Sequence, residues 1–174
     1  MKNFIFLLLL FFWSLNHCVA QENLDVFDIA RKGTLEQIKK VVTENPKAIN
    51  LINKDGFSPL ILACYRGNNE VARFLIDKGC NINQKSSMGT PLMAAVVKGN
   101  VEMINILLDK KADINGTDEN GVTALIYAVQ FANKEAVKIL VQNNADKLKI
   151  DKQGKTAFEY AVFSGNEEII NLLK

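Results

Sequence analysis

The chain has 174 residues, with 21 Lys and Arg against 19 Asp and Glu, and a mean hydropathy of +0.04. So even a charge balance argues against a general nucleic-acid or membrane-surface binder, and the length beyond residue 20 suits one domain. The one histidine is His17; without others, the usual general base, the Ser–His and Cys–His nucleophile pairs and most zinc sites are missing downstream.

The first twenty residues differ from the rest. Lys2 gives a positive start, Phe4 to Trp13 is an unbroken apolar run, and Cys18-Val19-Ala20 offers a cut after Ala20. This is the layout of a secretory signal peptide. The run is shorter than the roughly twenty residues a spanning helix needs. Cys18 is no lipoprotein cysteine on this reading, because His17 stands where a small residue is wanted. The predicted division is 1–20 signal peptide and 21–174 folded domain, exported to a periplasm or secreted, with no membrane span once the leader is removed. Loss of Lys2 takes the net charge from +2 to about +1.

Asp25 to Val42 reads as two helices around Gly33-Thr34, followed by an exit at Asn45 to Asn50 one residue longer than later ones. Four related phrases follow: GFSPLILACYRGN at Gly56, GTPLMAAVVKGN at Gly89, GVTALIYAVQFAN at Gly121 and GKTAFEYAVFSGN at Gly154, at intervals of 33, 32 and 33. Ser58, Thr90, Thr123 and Thr156 are predicted N-caps, with Pro59 and Pro91 at the first helical position. Ala63, Ala95, Ala128 and Ala161 recur where helices approach closely. Asn68, Asn100, Asn133 and Asn166 are predicted to cap the second helices, and Glu70, Glu102, Glu135 and Glu168 occupy first turns that favour negative charge. A period of this size, with a turn and two short helices, predicts an all-α stack of repeats. The units fall at about 22–53, 54–85, 86–117, 118–150 and 151–174.

These phrases resemble the ankyrin repeat. Gly89 to Ala95 reads Gly-Thr-Pro-Leu-Met-Ala-Ala, and Gly79 to Asn83 and Lys111 to Asn115 follow the exit pattern Gly-Ala-Asp-x-Asn. The resemblance covers about 22–174 and implies an ankyrin solenoid with β-hairpin-like loops. Three features depart from the pattern. The family's His is replaced by Ile61, Met93, Ile126 and Glu159. Lys111 and Asn144 replace the glycine after the second helix, where left-handed backbone is expected. The third unit is one residue short, so its hairpin tip should differ.

The resemblance also implies binding through hairpin tips and the exposed side of the first helices. The corresponding partner-binding candidates are Arg31, Lys32, Phe57, Tyr65, Arg66, Val97, Lys98, Gln130, Phe131 and Phe163: basic towards the N-terminal end, aromatic towards the C-terminal end. Val122 and Lys155 share the slot of Phe57. Tip residues Asp55, Met88, Glu119, Asn120, Lys152 and Gln153 are further specificity contacts. The competing reading has the aromatics completing the core and the basic residues forming a solvated ridge. The acid pairs Asp118-Glu119 and Glu167-Glu168 read as a solvated turn and a helix start. No catalytic, cofactor or metal set is predicted. Cys64 and Cys80 are expected to be buried core thiols rather than a bridge, and the sequon Asn115-Gly116-Thr117 coincides with a repeat slot. The expected function is non-catalytic binding of another protein outside the cytoplasm by a monomer, as an inhibitor, immunity factor or adaptor. The alternatives are a self-associating module, pairing through Ile169, Leu172 and Leu173, and, further off, an enzyme or metal protein.

Overall fold

The structure, a computed structural model, describes residues 25–174; the signal-peptide reading of 1–20 lies outside them. They form ten α-helices: α1 Val26–Lys32, α2 Leu35–Glu44, α3 Pro59–Arg66, α4 Asn69–Asp77, α5 Pro91–Lys98, α6 Val101–Asp109, α7 Ala124–Gln130, α8 Lys134–Gln142, α9 Ala157–Ser164 and α10 Glu167–Leu173. The odd-numbered helices stack on one another in chain order, and each packs against the even-numbered helix of its own unit. No strand ladder forms among the described residues; the only β pairings are single bridges, Ser86 with Gly89 and Thr117 with Thr123.

The caps explain why such short helices form. Isolated helices of seven to ten residues are unstable in water. Here the Ser58, Thr90, Thr123 and Thr156 hydroxyls accept from the N–H of Ile61, Met93, Ile126 and Glu159, which satisfies donors the helix cannot. Apolar side chains then fill a core continuous from unit to unit. Ala30, Ala63, Ala95, Ala128 and Ala161 all have no solvent exposure: a larger side chain there would push the stacked helices apart. The missing histidine is replaced piecemeal. Glu159 accepts from the Thr156 N–H and hydroxyl, the Met93 sulfur lies 3.4 Å from the Thr90 nitrogen, and Ile61 and Ile126 only pack, buried.

Asn100, Asn133 and Asn166 cap α6, α8 and α10 as predicted. Asn68 does not cap α4. Its amide instead donates to the carbonyl of Gly33, 2.9 Å away in the preceding unit. A second asparagine series joins the exit loops: Asn50, Asn83 and Asn115 accept from the N–H of Asn81, Asp113 and Asp146 at 2.7, 2.8 and 2.8 Å. The next residue in that slot is Leu148, whose side chain has no acceptor. The sequon asparagine, Asn115, thus serves the repeat through its side-chain oxygen. The long exit of the first unit forms a 3₁₀ turn, Pro46–Asn50.

The backbone follows the repeat even where the residue resists. Gly79, Lys111 and Asn144 all have positive φ, at 79°, 64° and 62°. Ala132, where other units carry Gly67, Gly99 or Gly165, sits at φ 51°. The hairpin tips also behave as their lengths require. Asn53, Asp118 and Asp151 close five-residue loops, each side chain accepting from the amides two and four residues on. The tip of the third unit closes over four residues, by paired backbone bonds between Ser86 and Gly89.

Two readings are corrected. Asp118 is not a solvated turn acid: it is buried, with two amides and the Tyr127 hydroxyl donating to it. Ile169 and Leu173 are buried and Leu172 is half-buried, all packed against the core, because α10 presents its apolar side to α9. The exposed apolar groups of the last unit are Phe158, Val162 and Phe163 on α9. Cys64 and Cys80 are both free and buried; burial pushes the Cys80 thiol up to about 12 and the Cys64 thiol up as well.

Candidate functional site: a groove across the first helices

Helical spacing turns one side of α3 and α5 inward and leaves their last turns facing the hairpin-tip residues Asp55, Phe57 and Met88. Arg31, Phe57, Tyr65, Arg66, Val97 and Phe131, separated by up to a hundred residues in sequence, line a single groove of about 440 Å³ there. That is within the range of clefts that hold a ligand or an anchoring side chain, ~300–1,000 Å³. Asp55, Ile61, Leu62, Met88, Ala94 and Tyr127 complete its wall. Asp55 and Met88 are tip residues, recognisable from the repeat. Ile61, Leu62 and Tyr127 were not among the partner-binding candidates, yet each lies one helical turn before a residue that was: Tyr65, Arg66 and Phe131. The i to i+4 relation was the available signal.

Tyr65 and Phe131 are exposed, and Phe57 and Val97 are partly buried. Neither aromatic folds into the inter-unit core. Phe131 lies beside Tyr127, ring centres 6.3 Å apart. The Arg66 guanidinium sits 5.8 Å from the centre of the Tyr65 ring, within reach of a weak cation–π attraction. The three tyrosines differ at the hydroxyl. Tyr127 donates to Asp118 at 2.8 Å and Tyr160 to Asp151 at 2.6 Å. The Tyr65 hydroxyl has no hydrogen-bond partner among the described residues. Burial, with the bond to Asp118, pushes Tyr127 up to about 12, so the hydroxyl remains protonated and keeps donating to Asp118.

The remaining candidates fall outside the lining. Lys32 is exposed beyond Arg31. Lys98 runs across the end of α3, its Cε 3.3 Å from where a Gly67 side chain would begin. Gln130 is exposed on the far side of Phe131. Phe163 is 87% exposed, under the Lys155 ammonium at 5.6 Å, on the last unit. Val122, in the slot of Phe57, is buried core. Glu119, Asn120, Lys152 and Gln153 stay exposed at the tips.

A family model described as ankyrin repeats (3 copies) matches residues 26–118 and 113–174. The chain belongs to the ankyrin-repeat family. Its similarity to curated proteins is confined to short stretches. It is 32% identical over 64 residues to the ankyrin repeat and SAM domain-containing protein 6 of Rattus norvegicus, covering 37% of this chain and 7% of that protein. It is 31% identical over 70 residues to the BTB/POZ domain-containing protein 3 of Schizosaccharomyces pombe, covering 40% and 13%. It is 40% identical over 48 residues to the acyl-CoA-binding domain-containing protein 6 homolog of Dictyostelium discoideum, covering 28% and 17%. The matched stretch is thus a small part of each of these relatives. The ankyrin repeats indicate a protein–protein interaction module, and the family is typically non-catalytic. No helix among the described residues is long and apolar enough to cross a membrane.

Proposed function

We propose that this ankyrin-repeat protein acts outside the cytoplasm, binding another exported protein through the groove between its hairpin tips and first helices, as an inhibitor, immunity factor or adaptor. The observation that carries the binding reading is the convergence of Tyr65, Arg66 and Phe131 on one groove, held by capped helix ends. Tyr and Arg anchors of this kind dominate binding hot spots, and a preformed surface loses little entropy on association. The extracytoplasmic reading rests on the leader composition of residues 1–20. Replacing Tyr65 and Phe131 together by Ala should abolish capture of the partner from the native exported fraction with helix content unchanged. Undiminished capture by the folded variant removes the groove from the interface. Intact-mass measurement of the exported protein should show loss of residues 1–20; an uncleaved or cytoplasmic chain overturns the location.

Self-association is the second reading, favoured by Val162 and Phe158 on α9. Their counterparts in earlier units are buried, whereas Val162 is 52% exposed. Light scattering across a concentration series should report a monomer if the groove alone is the working surface, and a dimer if this end face is used.

A further inference from the structure

The groove of the proposed function has a polarity that restricts what can fill it. Basic residues occupy the last turns of α1, α3 and α5, as Arg31 with Lys32, Arg66, and Lys98. The last turns of α7 and α9 have none. A helix C-terminus favours a cation through its dipole, but that applies equally to all five first helices and so does not explain the confinement to three. Arg31 is neutralised by Asp28 at 2.8 Å. Lys32, Arg66 and Lys98 form no ion pair among the described residues. Asp55 is the one carboxylate in the groove wall, and Lys54 stands beside it in the chain. The far end, by contrast, is Tyr127 and Phe131, with the Tyr127 hydroxyl already held by Asp118. Within the basic stretch, beside Arg66 on α3, the Tyr65 hydroxyl is a donor with no acceptor among the described residues.

We infer that the groove takes a peptide segment bearing one bulky apolar or aromatic side chain, seated against Tyr127 and Phe131, with carboxylates on the side that faces Lys32, Arg66 and Lys98. The inference rests on the groove reading above and adds an orientation and a charge sign. Unpaired cations at the rim meet the acidic flank, attract it from a distance and fix its register. The apolar anchor fills the volume between the helix ends and the Met88 tip. A segment of opposite sign would bring like charges together at three positions with the same anchor in place.

The test is selection of random displayed dodecapeptides on the full chain, followed by fluorescence anisotropy with the selected peptide made synthetically. Enrichment of an aromatic residue with Asp or Glu on one side is expected. Arg66→Glu with Lys98→Glu, folded by circular dichroism, should weaken that peptide by about tenfold or more and strengthen a version whose acids are replaced by Lys. Enrichment of apolar peptides without charge preference, lost on Tyr65→Ala with Phe131→Ala, would leave the groove standing and overturn the inference. Enriched peptides indifferent to both pairs of substitutions, or no enrichment at all, would overturn the inference and count against the groove as well.

Discussion

Three valines occupy one slot of the repeat, and the stack treats them differently. Val96 and Val129 are 0% and 3% exposed between neighbouring units, while Val162 is 52% exposed at the end of the row. Valine to alanine removes two methyl groups in each case. At about 0.8 kcal/mol per buried methyl(ene), the transfer loss at Val129 is about 1.6 kcal/mol, and the space left between packed helices raises this to about 2–3 kcal/mol. At Val162 half the transfer loss remains, about 0.8 kcal/mol, and water fills the space, so no cavity forms. Trp13 is the chain's one tryptophan and lies outside the described residues, so urea unfolding is best followed by helix circular dichroism. With a urea slope of about 1–3 kcal/mol per molar, Val129→Ala should lower the midpoint by about 1 M or more, and Val162→Ala by less than half as much. Equal losses at the two positions, or none at Val129, would refute the claim that each unit is held by its neighbours.

Three other outcomes follow from local chemistry. Ala132→Gly should stabilise the protein by about 0.5–1 kcal/mol, because the left-handed backbone costs alanine ~1–2 kcal/mol and glycine gives part of that back as unfolded-chain entropy; a lower urea midpoint would contradict it. Burial alone would raise the Asp151 carboxyl, but bonds from Tyr160 and the amides of Lys155 and Gln153 outweigh it and hold it below the usual range. A depressed folded value gives stability that is present above the unfolded pKa of ~3.9 and lost as pH falls through the folded value. Asp151→Asn should therefore unfold more easily at neutral pH and show a shallower loss below pH ~4, checked by urea midpoints across the acid range; parallel profiles would refute it. Since only thiolates react readily, Cys64 and Cys80 should resist Ellman's reagent at mildly alkaline pH until urea opens the stack; prompt reaction of either in native protein would show that its burial is overstated.

The fold was legible because its cues repeat. A hydroxyl before each apolar run, an alanine at each close approach and an asparagine at each second helix reinforced one another across units, so even Lys111 could be assigned backbone it does not favour. Asn68 was misread because the residue type does not fix the side chain's orientation: its NH2 donates to the Gly33 carbonyl while its oxygen makes no cap, whereas Asn100 caps and also donates to the preceding unit. Asp118 was misread because a turn acid reads as solvated until Tyr127, nine residues on, is seen to close over it. At the groove, the exposed ends of the first helices were evident from phase. Its floor was not: Ile61 was noted only as standing in place of the family's histidine, Leu62 and Tyr127 drew no notice, and it is the folded stack that brings all three to the groove. Ile169 and Leu173 show the reverse error, where apolar residues in the final helix suggested an outer surface but α9 takes them inside.

The rungs made by Asn50, Asn83 and Asn115 tie together the exit loops of the first four units, whereas α9 and α10 join the row by different bonds, the Lys152 N–H on the Asn120 carbonyl and the Lys147 ammonium on the Leu173 carbonyl. The row is therefore fastened unequally along its length. Pulled or heated, it should come undone from the end carrying α9 and α10, shedding that pair before the units that hold Tyr65 and Arg66 begin to loosen.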